Sequence, residues 1–265
     1  MGNCENRYRS VFISDVHLGA VGSRPEQVEA FLASFECDYL YLVGDIVDGW
    51  VGTTKGKWTQ AHTNVIRALL NKSRCGTTVY YTPGNHDAFM RRFNGSEFGS
   101  VWIDHSFEHI TADGRSLLVV HGDLFDKTVT RYKPLAWTAA WGYEFLTVLN
   151  AKVNSRRTKR NRSPVDIASA VKLFVKRLVK RGTSFESQLI EEATVNGFDG
   201  VVCGHIHRPM IETINGVLYI NTGDWVEHGT AVVESATGEL SLVHWPATDP
   251  TVSSETIRRK GRQTS

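Results

Sequence analysis

Five short polar clusters, each behind an apolar run, hold the residues of this chain best suited to chemistry. They are Asp15-Val16-His17, Gly44-Asp45-Ile46-Val47-Asp48, Gly84-Asn85-His86-Asp87, His121-Gly122-Asp123 and Gly204-His205-Ile206-His207. Aspartate, histidine and asparagine offer oxygen and nitrogen donors that suit divalent cations of intermediate hardness. Seven or more such donors exceed the needs of one ion. They match two ions sharing a carboxylate, an arrangement that serves metal-assisted hydrolysis of phosphate esters. Each cluster alone has a plainer explanation. Asp45 and Asp48 bond local backbone and form turns readily, Asn85 could cap a helix, and a single His121 could be a satisfied buried imidazole. Five clusters in this order, after five apolar runs, are hard to obtain by chance.

The elements that must position these residues follow from periodicity. Val11-Phe12-Ile13, Tyr39 to Val43, Thr77 to Tyr81 and Gly200 to Cys203 read as short buried strands, each ending at a cluster. Strand ends on one rim of an α/β domain bring distant residues together. Glu26 to Phe35 and Trp58 to Leu70 carry helical spacing. Phe107 to Ile110 and Leu117 to Val120 flank Asp113-Gly114, a strong hairpin turn. Leu218 to Ile220, Thr230 to Val233 and Leu240 to His244 read as a mostly antiparallel meander. Alternating strands and helices followed by strands imply two sheets packed face to face with helices outside.

In order and spacing the five clusters resemble the calcineurin-like metallophosphoesterase superfamily over residues 10 to 224. Within it the chain is most similar to the UDP-2,3-diacylglucosamine pyrophosphatases of lipid A biosynthesis. That likeness rests on Ser14-Asp15-Val16-His17-Leu18-Gly19, Leu42 to Trp50, Val120-His121-Gly122-Asp123, His205-Ile206-His207-Arg208-Pro209 and Asn221-Thr222-Gly223-Asp224-Trp225. The resemblance implies a four-layer αββα sandwich of two mixed sheets with a helical insert as lid. It also implies two divalent ions, manganese above iron, cobalt or zinc. One ion falls to Asp15, His17, Asp45 and His207, the other to Asp45, Asn85, His121 and His205, with Asp45 bridging. His86 becomes the residue that stabilises charge on the phosphoryl group or protonates the leaving oxygen. Some members of the pyrophosphatase family carry arginine there. Asp48, Asp87 and Asp123 are expected to orient the ligands rather than to bind metal. The implied reaction converts UDP-2,3-diacylglucosamine to UMP and 2,3-diacylglucosamine 1-phosphate, with another phosphodiester or monoester as the alternative substrate.

Residues 124–197 interrupt the rhythm between the fourth and fifth clusters, dividing a core of 1–123 and 198–247. Within this insert Leu135, Trp137, Trp141, Phe145 and Leu149 share a helical stripe. Lys152 to Arg162 then carries six cations and no acid. Asn85, Arg156, Arg157, Lys159 and Arg160 are the candidate phosphate contacts, and Trp137 and Trp141 the acyl wall. Arg91 and Arg92 are further candidates beside the third cluster. Aromatic residues paired with cations suit an amphiphile at a membrane surface, on the cytoplasmic face of the cell membrane. A basic segment is the only feature favouring nucleic acid, which is disfavoured as a partner. A non-catalytic scaffold should have lost ligands, and every expected ligand is present. At 265 residues the chain can bury a large core. Its net charge of +2 excludes a general polycation. The four cysteines form no Cys-x-x-Cys pair, which suits a reducing compartment. Residues 1–10 lack an apolar signal core, no run of 18 apolar residues occurs, and 248–265 read as a flexible basic tail.

Overall fold

The computed structural model of the chain describes residues 6–49, 57–126 and 185–245. Trp137, Trp141, Arg156, Arg157, Lys159, Arg160 and the tail at 248–265 lie outside the described residues. The chain divides into two compact units, 1–123 joined with 189–265, and 124–188. The first unit carries all the strands described here.

Two mixed sheets form its body. The strands in chain order are β1 (Asn6–Ile13), β2 (Phe35–Val43), β3 (Thr78–Thr82), β4 (Ser96–Phe98), β5 (Val101–Ile103), β6 (Phe107–Ile110), β7 (Ser116–Val119), β8 (Gly200–Cys203), β9 (Met210–Ile214), β10 (Val217–Asn221), β11 (Thr230–Glu234) and β12 (Leu240–His244). Seven of them make one sheet in the order β12-β11-β1-β2-β3-β5-β4, and five make the other in the order β6-β7-β8-β10-β9. β1, β2, β3 and β5 run parallel, as do β7, β8 and β10, while the outer strands run antiparallel. Central parallel strands are covered on both faces and so read as unbroken apolar runs. This is why VFI, LYLV and VVC could be recognised from sequence.

Parity along the strands sets the two cores. Phe12, Tyr41 and Tyr80 are in register on adjacent strands, and their rings stack at 4.6 and 4.8 Å. Phe12 and Tyr41 face the second sheet, packing with Leu117, Val119, Val202 and Ile220. Val11, Ile13, Leu40 and Leu42 point the other way, onto helices α1 (Pro25–Ala33) and α2 (Gln60–Arg74). α1 starts with proline at its first turn, where no backbone donor is lost. α2 opens with a capping box between Thr59 and His62, and His62 Nε2 also meets Ser23 Oγ at 2.9 Å. A third helix, α3 (Phe185–Val195), precedes β8 and buries Leu189, Ile190 and Ala193. Among the described residues no helix is long and apolar enough to cross a membrane.

A buried polar knot ties the two sheets together away from the strand ends. The Glu234 carboxylate on β11 is fully buried. It accepts from Arg9 at 3.0 Å, Ser10 Oγ at 2.6 Å, His109 Nε2 at 2.8 Å and the Ala112 amide at 2.7 Å. Burial opposes its charge, but donation from His109, Ser10 and Ala112 prevails and holds its pKa at about 2.

Most elements fall within a few residues of their predicted limits. The closing meander forms only in part, with β11 and β12 paired antiparallel. β10 lies in the second sheet beside β8, whereas β11 and β12 cross to the first. The crossing takes place in the turn at Asp224, because β10 and β11 bury their apolar faces in different sheets.

Candidate metal centre

All five clusters leave the carboxyl ends of parallel strands β1, β2, β3, β7 and β8. Backbone bonds zip their loops together. The Asp15 amide donates to Gly44 O at 3.0 Å, His17 to Asp45 O at 2.9 Å and Leu18 to Ile46 O at 2.9 Å. The Gly204 amide donates to His121 O at 3.1 Å. Two carboxylates tie loop to loop: Asp45 Oδ1 accepts the His86 amide at 2.7 Å, and Asp15 Oδ2 accepts the His205 amide at 3.0 Å. Ser14 Oγ also donates to Asp15 and approaches Thr222 Oγ1 at 2.6 Å.

Backbone conformation singles out the same residues. Six described non-glycine residues have positive φ, and five are Asp15 (52°), His17 (50°), Asp45 (53°), His205 (69°) and His207 (51°). The left-handed region is costly for side chains with a Cβ, and such strain concentrates where a site requires a fixed aim. Glycines permit the close packing. A Cβ on Gly84 would collide with the Asp45 carboxylate and stand 2.7 Å from His121 Nε2. One on Gly204 would lie 2.5 Å from Asp15 Oδ2.

The donors converge in three overlapping groups whose ligand atoms all lie within 4.8 Å of one another. These are Asp15, His17 and His207; His17, Asp45 and His86; and Asp15, Asp45 and His121. His205 stands beside His121 with ring centroids 5.3 Å apart. Buried His17 Nε2 and Asn85 Oδ1 find no hydrogen bond, while Asp15 Oδ1 and His121 Nε2 face only His207 Nε2 at 3.2 Å and Asp45 Oδ2 at 3.4 Å. Unsatisfied buried donors and acceptors are costly, and a cation among them would engage all four. The residues present therefore fit bound metal. His121 is aimed for this role: its Nδ1 donates to Val43 O at 2.8 Å, which leaves Nε2 facing the acids.

Charge in the centre tells the same story. Burial disfavours a charged His121, yet Asp45, Asp15 and Asp123 outweigh it and raise its pKa to about 10. Burial also opposes the Asp45 charge, and His121, the His86 amide and His17 overcome it, placing this carboxyl far below its usual range. Asp15 raises the proton affinity of His207 by a hydrogen bond at 3.2 Å. His17 moves the other way because its desolvation prevails. A metal-free cleft this acidic recruits protons in place of cations.

The surrounding residues hold the loops. Asp87, whose burial raises its pKa, accepts from the amides of Ile46 (2.8 Å) and Gly84 (2.6 Å) and from Tyr81 OH (2.5 Å). His86 stands at the mouth, with its Nδ1 3.6 Å from Asp48 and its ring edge-on to His17 at 4.5 Å. Its membership in a ligand group shows how near it lies to the acids. Arg91 grips Asp123 at 2.7 and 2.8 Å, strapping the third loop to the fourth. Asp123 is thus engaged by arginine rather than by a ligand histidine.

Sequence reasoning missed several supports. Asn221 Nδ2 donates to Gly204 O at 2.7 Å, and the Trp225 amide donates to Asp15 O at 3.0 Å. The available signal was Asn221-Thr222-Gly223-Asp224, a polar cluster directly behind an apolar strand like the other five. The candidate substrate residues Trp137, Trp141, Arg156, Arg157, Lys159 and Arg160 are outside the described residues, while Asn85 sits within the centre.

Comparison with known proteins agrees with this geometry. The family profile described as calcineurin-like phosphoesterase matches residues 8–209. A UDP-2,3-diacylglucosamine hydrolase of Neisseria gonorrhoeae is 27% identical over 233 residues, covering 82% of this chain and 89% of the relative. One of Shewanella piezotolerans is 24% identical over 259 residues, covering 90% and 98%. Among solved structures, a wild-type Vps29 of Entamoeba histolytica complexed with zinc aligns over 93% of this chain and 96% of its own, at 11% identity and a TM-score of 0.45. With the family's profile spanning three-quarters of the chain and its five clusters gathered at one set of strand ends, the protein belongs to the calcineurin-like phosphoesterase family and is a hydrolase.

Proposed function

We propose that the protein is a two-metal hydrolase that cleaves the anhydride bond of UDP-2,3-diacylglucosamine, adding water to give UMP and 2,3-diacylglucosamine 1-phosphate. The observation that carries the two-metal reading is the convergence of ligand-type side chains from five strand ends in three overlapping groups, two of which share Asp45. Relatives bearing the name UDP-2,3-diacylglucosamine hydrolase, aligned over most of both chains, support the substrate.

Asp15, His17, Asp45 and His207 would hold one ion, and Asp45, Asn85, His121 and His205 the other. Bound ions of this kind polarise phosphoryl oxygens and make water a competent nucleophile near neutral pH. The chain's own residues supply the rest. Asp45, kept ionised by its neighbours, links the two halves of the centre. Val43 O fixes the tautomer of His121. His86, half-exposed at the mouth and close to Asp48, donates to a phosphoryl or leaving-group oxygen. Manganese suits the mixed oxygen and nitrogen donors without sulfur.

Residues within the insert are assigned to the substrate rather than to the metals. Arg156, Arg157, Lys159 and Arg160 meet its phosphates, and Trp137 and Trp141 its acyl chains. This pairing of cations and aromatics supports a peripheral position on the cytoplasmic face of the cell membrane. Purified protein with manganese should be assayed on UDP-2,3-diacylglucosamine, an aryl phosphodiester and single-stranded DNA. Release of UMP from the lipid at the highest kcat/KM supports the reading. Turnover of the aryl ester without the lipid removes the substrate assignment and leaves the family's chemistry.

A further inference from the structure

The turn that carries the chain from the second sheet back to the first contains a carboxylate–imidazole pair that the metal centre does not use. Asp224 is fully buried. Its Oδ1 accepts from the amides of Val226 at 2.8 Å and Glu227 at 2.5 Å, and its Oδ2 accepts from His228 Nδ1. The Gly229 amide closes onto Asp224 O at 2.8 Å. These bonds fix the Asp224 carboxylate and, through it, one imidazole. That imidazole keeps 40% of its side-chain surface exposed. Among the described residues, its Nε2 has no partner.

Three observations set this turn on the rim of the metal centre. Cys203 and Asn221 are partners across parallel β8 and β10, so the Asp224 turn leaves the sheet level with the His205 loop. The Trp225 amide is bonded to Asp15 O. The Asp224 charge also reaches His207. A histidine anchored at Nδ1 by a buried carboxylate presents Nε2 at a defined position, and the carboxylate is a built-in counter-charge for the imidazolium form. At the edge of a centre for phosphate esters, the ligand that matches such a donor is a phosphate oxygen.

We infer that His228, aimed by Asp224, is a further phosphate-contacting residue on the rim of the metal centre. The inference rests on the phosphoesterase reading but not on the lipid substrate. Its role is binding, so its loss acts chiefly on KM, and Asp224 is a positioning residue that works through it. UMP is the probe, added to the metal-loaded full-length chain. Its inhibition constant is measured against aryl phosphodiester turnover, and histidine imidazole resonances are followed by NMR. In the wild type, UMP should shift the His228 resonances. His228→Ala should weaken UMP inhibition by about tenfold or more, the scale of a hydrogen bond to a charged group, and His228→Gln should restore part of it. Asp224→Asn should scramble the His228 tautomer seen by NMR and weaken UMP inhibition to a similar degree. Unmoved His228 resonances on UMP addition, or an unchanged inhibition constant in His228→Ala, would overturn the assignment. Equal weakening in His228→Ala and His228→Gln accompanied by a lowered melting temperature would also overturn it, since that marks a structural role. An inactive wild type on UDP-2,3-diacylglucosamine would sink the lipid reading while these measurements still judge His228.

Discussion

Substituting Glu234 by glutamine tests how far a buried polar knot, rather than apolar packing alone, joins the two sheets. The wild-type carboxylate receives Arg9, Ser10, His109 and the Ala112 amide within 3.0 Å. Its pKa falls from the ordinary 4.5 to about 2 on folding. A fall of that size corresponds to about 3 kcal/mol of stability from the ionised form. Because the folded pKa is depressed, this stability is complete above pH 4.5 and is lost as pH drops through the folded value. Glu234→Gln removes the charge while leaving Arg9 and His109 in place, so at pH 7 it should lower the unfolding free energy by up to about 3 kcal/mol. Urea unfolding of metal-free protein, followed by tryptophan fluorescence from pH 7 to pH 2.5, gives the comparison. The gap between wild type and variant should narrow steadily between pH 4.5 and pH 2.5. A variant as stable as wild type at pH 7, or a gap that stays constant down to pH 2.5, refutes the reasoning.

Three further outcomes bear on the centre. His86→Ala should cut turnover by about two orders of magnitude or more, the usual scale for a proton-transfer or charge-stabilising group, with metal content by elemental analysis unchanged; loss of metal would show that His86 is a ligand. Gly84→Ala drives a methyl into the Asp45 carboxylate and against His121, so it should retain a native circular dichroism spectrum while metal affinity collapses; full metal binding would contradict the packing described. Metal uptake should release protons, because His121 binds one with a pKa of about 10 in the metal-free cleft. Calorimetry in buffers of different ionisation enthalpy should find at least one proton released per chain at pH 7, with apparent affinity rising with pH. Uptake without proton release would refute this picture.

The site was more legible in the sequence than the fold was. Asp15, Asp45, Asn85, His121 and His205 each follow an apolar strand closely, and parallel topology then leaves few places for them except one rim. Val11-Phe12-Ile13 and Gly200 to Cys203 were readable because central strands are apolar on both faces. β4 and β5 have three residues each, and β9 is built from the half-buried Met210–Ile214, so no periodicity announced them. The β10–β11 crossover was hidden because antiparallel neighbours and separate sheets look alike in a run of short strands. Arg91 read as a candidate phosphate contact, and spacing could not show its bond to Asp123, 32 positions away. Nor could spacing reveal the left-handed backbone at five of the candidate ligands, since loop hydrogen bonds between clusters enforce it.

Metal stoichiometry tests the central claim most directly. Protein purified without chelator, reconstituted with manganese and gel-filtered, should hold two ions per chain by elemental analysis, with activity rising in step with occupancy. Asp45→Asn should weaken both ions together, because that one carboxylate serves both. A plateau at one ion with full activity, or two tightly held ions in Asp45→Asn, would contradict a shared-carboxylate pair.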